Sequence, residues 1–157
     1  INIYSKKKIW LFYSSTSHVY KFKKTKIIET DNTKPVSFYG KTKLKSEKYI
    51  MKNQIMSNPC IGRNFSFTSK KQNKNFIIPS MISKLLFKKT KGIFNICSGE
   101  KISLLDILHI LNRKYKKNLI IINNKNKTSL YGSNKKINKI IQYQKKFNYL
   151  NYLYKNY

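Results

Sequence analysis

Residues 14–43 read SSTSHVYKFKKTKIIETDNTKPVSFYGKTK, and the segments on either side of this stretch's long polar loop decide the fold. Just before it, Ile9 to Tyr13 is a short continuous apolar run, the pattern of a buried strand, and it ends in the hydroxyl cluster Ser14 to Ser17. Past Pro35, a helical pattern opens near Ser37 and runs to about Asn53, with Leu44, Tyr49, Ile50 and Met51 as its apolar contacts. A buried strand, a loop and a helix in that order are the opening unit of an α/β domain.

The alternation continues downstream. Cys60 to Phe67 reads as a second strand, Pro79 to Phe87 as a helix with proline at its start, and Ile93 to Cys97 as a third strand closed by Ser98-Gly99. Ser103-Leu-Leu-Asp106 has the spacing of a capping box, opening a helix whose apolar face is Leu104, Ile107, Leu108 and Leu111. Leu119 to Ile122 is strand-like, Asn123 to Lys127 is a low-complexity loop, and the tail from Gly132 is helical, then aromatic, fraying from Tyr149. There is no internal repeat. Strands alternating with helices predict a mainly parallel sheet, and 157 residues allow one domain.

Charge dominates the composition: 34 Lys plus Arg stand against 5 Asp plus Glu, a formal net charge of +29. A basic chain gains affinity for polyanions by releasing counterions from phosphates, so nucleic acid is one partner class to weigh. Only Arg63 and Arg113 are arginines, so the planar fork that reads phosphates and guanine edges is nearly missing. The lysines run from Lys6 to Lys155 without gathering, among many Asn, Ile, Tyr and Phe, while alanine does not occur. Residues with A/T-rich codons abound, which reads as coding bias with most lysines on a solvated surface. Nucleic-acid binding is therefore the weaker reading.

Hydrophobic residues at 40% and aromatics at 14% suffice for a packed core, although self-repulsion makes its stability salt-sensitive. Cys60 and Cys97 each lie in an apolar run without a CxxC or CxxH neighbour, and read as buried free thiols. His18 has no carboxylates or cysteines around it in sequence, so no metal is assigned. No stretch approaches the roughly 18 apolar residues of a membrane span, and the run after Lys6 to Lys8 is too short for a signal peptide. The expected compartment is the cytoplasm.

Chemistry enters with Tyr39 and Lys43. Four residues apart on a helix, they share a face, so the ammonium can lie close to the phenol. A phenol with a pKa of about 10 is a poor base near neutrality, and a nearby cation favours its phenolate. Such a pair can exchange a proton with an alcohol, with a strand-end hydroxyl such as Thr16 holding the same oxygen. The spacing alone is weak: Tyr4 and Lys8, Tyr20 and Lys24, and Tyr131 and Lys135 share it.

In its setting the pair says more. A buried strand, Ser14-Ser-Thr-Ser-His-Val-Tyr20, Glu29, Pro35, Ser37-Phe-Tyr-Gly-Lys-Thr-Lys43 and Glu47 follow in order, and this resembles the catalytic segment of the extended short-chain dehydrogenase/reductase family. Its members include the NAD-dependent epimerases, dehydratases and reductases of nucleotide sugars. Arg63-Asn-Phe-Ser-Phe-Thr-Ser-Lys-Lys-Gln72 is similar to the family's R-P-F-N-x-Y-G-P-x-Q strand and loop, with Ser66 for Asn and Ser69-Lys70 for Gly-Pro. Phe76-Ile-Ile-Pro79 is similar to the segment entering the substrate region. Gly92-Ile-Phe-Asn-Ile-Cys-Ser-Gly99 followed by Ile102-Ser-Leu-Leu-Asp106 is similar to G-x-x-N-I-G-S-G and its helix, with Cys97 for Gly. The four motifs cover roughly Ile9 to Leu111, and Tyr131-Gly-Ser-Asn134 weakly resembles the usual ending.

The resemblance implies a partial Rossmann-like parallel sheet with a reduced substrate-binding region. Residues 1–157 form a single incomplete α/β domain: residues 1–67 are the catalytic part of the sheet, and residues 68–157 a substrate-binding-like region from which strand 93–97 returns. It implies Tyr39 as acid/base, Lys43 as its activator and nicotinamide-ribose contact, and Thr16 as the hydroxyl on the reacting sugar oxygen. Ser14 and Ser15 would flank the nicotinamide of NAD or NADP. Arg63 would pair with a nucleotide phosphate or with a sheet-edge carbonyl, and Asn95 and Gln72 have a positional claim only.

Two family parts are not found. The glycines at 40, 62, 92, 99 and 132 never fall in a dinucleotide-binding order, so the resemblance implies a nucleotide-binding half upstream or on a partner chain such as a homodimer partner. Between Leu86 and Gly92 only Phe87 to Lys91 stand where the family has a few tens of residues. A sheet begun halfway would expose an edge at Ile9 to Tyr13. Three readings follow: a nucleotide-sugar epimerase, dehydratase or reductase using hydride and proton transfer, incomplete as this chain alone; a non-catalytic remnant or interaction protein; or a basic nucleic-acid-binding module.

Overall fold

In the computed structural model of the protein, residues 10–52, 59–65, 77–116, 130–141, 151 and 154–155 are described. The strand expected at Leu119 to Ile122, the loop at Asn123 to Lys127, Gln72 and the side chains of Leu104 and Leu111 lie outside what is described.

The described residues form a three-stranded parallel sheet in the order β1-β2-β3, from Phe12–Thr16, Cys60–Asn64 and Gly92–Ile96. Between the strands run α1 (Phe38–Lys52) and α2 (Ile77–Phe87), and after them come α3 (Leu104–Tyr115) and α4 (Lys135–Ile141). The sheet is parallel because each crossover carries a helix, which returns the chain to the end where the previous strand began.

Strand alternation sorts the side chains into two layers. Phe12, Cys60, Phe94 and Ile96 point to one face, where Met81, Leu85, Ile137 and Ile141 of α2 and α4 close over them. The other face is covered by α1 and the loop ahead of it. There Val19, Tyr20, Ile27, Phe65 and Cys97 make a second cluster, with Leu44 of α1 and Leu130 against it. A parallel sheet needs this cover on both faces. Both cysteines are buried free thiols.

β1 runs later than the apolar run suggested. Its register with β2 pairs Ser14 with Gly62, Ser15 with Arg63 and Thr16 with Asn64. Ser14 to Thr16 are therefore strand, because the two buried hydroxyls keep partners, Ser15 on Glu47 and Thr16 as cap of the following turn, while the exposed Ser14 accepts from Asn64. β1 is one edge of the described sheet. β2 starts at Cys60 as expected and ends at Asn64, and β3 sits one residue earlier than its apolar run.

Helix starts follow their local chemistry. Ser37 Oγ accepts the Gly40 N–H (3.1 Å) at the head of α1. Pro79 stands inside the first turn of α2, where its missing N–H would have no helical partner. Ser103 and Asp106 close a reciprocal capping box on α3, as their spacing predicts. On α1, Leu44 packs inward while Tyr49 and Met51 are exposed, contrary to the apolar contacts expected of them. The inward strip is the narrow row of buried Gly40 and Glu47 with half-buried Leu44 between them, at helical spacing. Residues 88–91 join α2 to β3 in a tight turn with Lys89 at φ 45°, so no inserted region stands between them.

Candidate functional site

The site lies at the carboxyl end of β1, where open α/β sheets place their ligands. β1 delivers Ser14, Ser15 and Thr16 there, and the 3-10 turn Ser17–Val19 follows directly. The first two turns of α1 then bring Tyr39 and Lys43 back to the same strand end.

Lys43 spans the gap. Its Nζ donates to the Ser14 carbonyl oxygen at 2.8 Å, 5.0 Å from the centre of the Tyr13 ring and 5.9 Å from that of Tyr39. The ammonium keeps two further N–H protons for a ligand. Tyr39 is 54% exposed, and the edge of its ring meets His18 at 6.2 Å between ring centres. His18 thus serves as packing for the tyrosine. Their approach depends on Gly40: a Cβ there would lie 2.6 Å from the His18 carbonyl oxygen, so only glycine lets α1 start this close to the turn.

Thr16 is 6% exposed, and its Oγ1 accepts the His18 N–H at 3.3 Å as the cap of the 3-10 turn. Accepting leaves the hydroxyl proton free to be donated. Ser14 faces outward at the strand end. Ser15 does not: it is buried, and its Oγ donates to Glu47 Oε1 at 2.5 Å. Of the two serines flanking the expected nicotinamide position, Ser15 can therefore offer only its backbone.

Beneath the site runs a row that the sequence reading assigned no joint role. Ser15, Arg63 and Asn95 are register partners across the three strands and are 3%, 4% and 0% exposed. Arg63 is held chiefly by Glu47, with the Glu29 carbonyl at 3.5 Å as a weaker partner. Its Nε lies 3.1 Å from both Glu47 oxygens, one terminal nitrogen is 2.6 Å from Oε2, and the guanidinium lies 4.6 Å from the centre of the Tyr20 ring. Despite burial, which works the other way, the bonds to Glu47 hold the guanidinium above its ordinary pKa. Asn95 accepts from the Tyr20 hydroxyl (2.7 Å) and donates to the Ile27 carbonyl, while its backbone N–H meets Glu29 Oε1 at 2.8 Å. Burial pushes the Tyr20 phenol up to about 12, so it stays a neutral donor. The spacing of Tyr39, Lys43 and Glu47 at four residues was the signal for Glu47.

Asn64 adds a local feature. It stands where the resembling motif has proline, and its Nδ2 donates to Ser14 Oγ (2.8 Å) and the Ser15 carbonyl (3.3 Å). No three His, Cys, Asp or Glu side chains gather among the described residues. No helix there is long and apolar enough to cross a membrane.

A three-stranded parallel sheet covered by helices on both faces defines a Rossmann-like α/β fold. Solved structures agree on the fold. RMD from Pseudomonas aeruginosa, complexed with NADPH, superposes with a TM-score of 0.76 at 16% identity over 91% of this chain and 63% of its own. UDP-glucuronic acid 4-epimerase from Bacillus cereus, in complex with NAD, gives 0.69 at 21% identity over 91% and 58%. dTDP-glucose 4,6-dehydratase from Bacillus anthracis, in complex with NAD, gives 0.70 at 14% identity over 92% and 59%. The chain therefore spans about three fifths of the length of these structures. No curated protein sequence matches it. Residues 2–93 match the family of the RmlD substrate binding domain, and the chain belongs to that family, within the extended short-chain dehydrogenases/reductases.

Proposed function

We propose that this chain carries the catalytic helix of an NAD(P)-dependent enzyme that moves a hydride and a proton at a sugar carbon of a nucleotide sugar, as an epimerase, dehydratase or reductase. The observation that carries the reading is the Lys43 ammonium bonded to the Ser14 carbonyl beside the Tyr39 ring. That contact joins the two residues of the family's pair to the strand end where a nicotinamide would lie.

The residues present fit the nicotinamide-ribose end of the cofactor: Lys43 has N–H donors to spare, and the exposed Ser14 lies next to it. They do not supply the pyrophosphate end, since no glycine-rich turn occurs in the sequence. When bound, the nicotinamide accepts or returns the hydride. Tyr39 would take the proton from the sugar hydroxyl as that hydride leaves, and give it back in the reverse step. Lys43 would hold the ribose and stabilise the phenolate oxygen that accepts the proton and is regenerated when the proton is returned, and Thr16 would donate its hydroxyl proton in a hydrogen bond to the reacting sugar oxygen. The division into a catalytic part, residues 1–67, and a substrate region, residues 68–157, belongs to this proposal, as does a nucleotide-binding half supplied from outside the chain.

Saturation-transfer NMR with NADH and NADPH in about 0.3 M salt, where unspecific attraction to the lysines is screened, tests it. Saturation should reach the nicotinamide and its ribose, and should vanish in Lys43→Ala. Transfer confined to the adenine, or unchanged in Lys43→Ala, would mean that the dinucleotide is held merely as an anion, and would overturn the reading.

A further inference from the structure

The row Ser15–Arg63–Asn95 touches no atom that the proposed reaction would move, yet it contains two of the chain's five acids through its bonds to Glu47 and Glu29. Its geometry assigns it a task. Tyr39, Lys43 and Glu47 follow one another at intervals of four on a single face of α1, a rise of about 6 Å between successive members. Glu47 is the only one of the three that is sealed inside the protein, at 2% exposure.

The carboxylate of Glu47 is held from two strands at once. Ser15 reaches it from β1, and Arg63 reaches it from β2 through three N–H···O contacts. A bidentate guanidinium–carboxylate pair fixes direction as well as distance. Arg63 is itself held by the Tyr20 ring and by the Glu29 carbonyl at 3.5 Å. One turn nearer the helix start, Lys43 meets the carbonyl of Ser14, the residue next to Ser15 on the same strand.

We propose that Glu47, clamped by Ser15 and Arg63, is a positioning residue: it sets the rotation and height of α1 against β1, and so places Lys43 on the Ser14 carbonyl and Tyr39 over the strand end. The proposal rests on the reading of Tyr39 and Lys43 as the reacting pair. Its geometric content is measurable without any cofactor.

Trace acetylation of the folded chain, read by mass spectrometry, compares Lys43 with Lys41 and Lys45, which are exposed on the same helix. In the native chain Lys43 should react more slowly than both. In Glu47→Gln the Lys43 rate should rise about fivefold relative to theirs, on the scale of one lost hydrogen bond, while circular dichroism at the labelling temperature is unchanged. A parallel rise of all three lysines, or an unchanged Lys43 ratio, overturns the proposal, because loosening of the helix as a whole produces no selective effect. If Glu47→Gln does not fold, Ser15→Ala and Arg63→Lys are judged by the same ratio. Failure of NAD(P)H binding leaves this ratio untouched, so failure of the clamp and failure of the catalytic reading give separate results.

Discussion

Replacing Glu47 with leucine keeps the side-chain volume roughly constant and removes the acceptor of the buried pair. Arg63, 4% exposed, would be left with the Tyr20 ring and the distant Glu29 carbonyl. A buried charge stripped of its partner in this way costs about 3–5 kcal/mol, against a total stability of about 5–15 kcal/mol for a domain. With a urea slope of about 1–3 kcal/mol per molar, the midpoint should fall by about 1 M or more. The double variant Glu47→Leu/Arg63→Met removes the stranded charge and should regain most of that loss, since paired replacement of a buried ion pair by apolar groups is close to neutral. Urea unfolding followed by circular dichroism measures all three chains. A double variant no more stable than Glu47→Leu would refute the argument, because the cost would then lie in packing and not in an unpaired guanidinium.

Gly40→Ala forces a Cβ to within 2.6 Å of the His18 carbonyl oxygen; a cost of about 1–3 kcal/mol is expected, read as a lowered melting temperature. Burial pushes the Cys60 thiol up to about 11, and the Cys97 thiol and Tyr20 phenol up to about 12. Folded-state values above the unfolded ones, 9.0 for the thiols and 10.0 for the phenol, mean stability that is whole below about pH 9 and is lost as pH rises through the folded values. Thermal melts from pH 8 to 11 should show that loss, and Tyr20→Phe should lessen it. Ser103→Ala should cost about 1 kcal/mol through the α3 cap. The Ser103 bonds hold the Asp106 carboxyl below its ordinary value, so this contribution is present above that value and fades as pH falls through the lowered one. The acid limb of a melting-temperature profile should accordingly be shallower in Ser103→Ala.

Elements defined by local chemistry were legible in the sequence: the capping box at Ser103, the start of α1 near Ser37, and the alternation that makes the sheet parallel. β1 was displaced because its last three residues are hydroxylic, and only partners far away in the chain, Glu47 and Asn64, make them good strand residues. The pair Tyr39 and Lys43 could be found through helical spacing and its setting. The cross-strand row could not, since no local pattern shows that Ser15, Arg63 and Asn95 will stand side by side. Register alone creates that neighbourhood.

The strand-like bridge between Ile27 and Gly132 bears on how the protein matures. Ile27 donates its N–H to the Tyr131 carbonyl and accepts from the Ser133 N–H, so the loop between β1 and α1 is stitched to a segment made much later. During synthesis, which proceeds from the N-terminus, α1 can form early from contacts close in sequence. The loop leading into it is held first by Asn95, which bonds the Ile27 carbonyl and Glu29, and the Ile27 N–H finds its acceptor only when Tyr131 has emerged. A truncation before Leu130 should thus free the Ile27 amide, a defect visible as its rapid exchange, and also strip Ile137 and Ile141 from the face they share with α2.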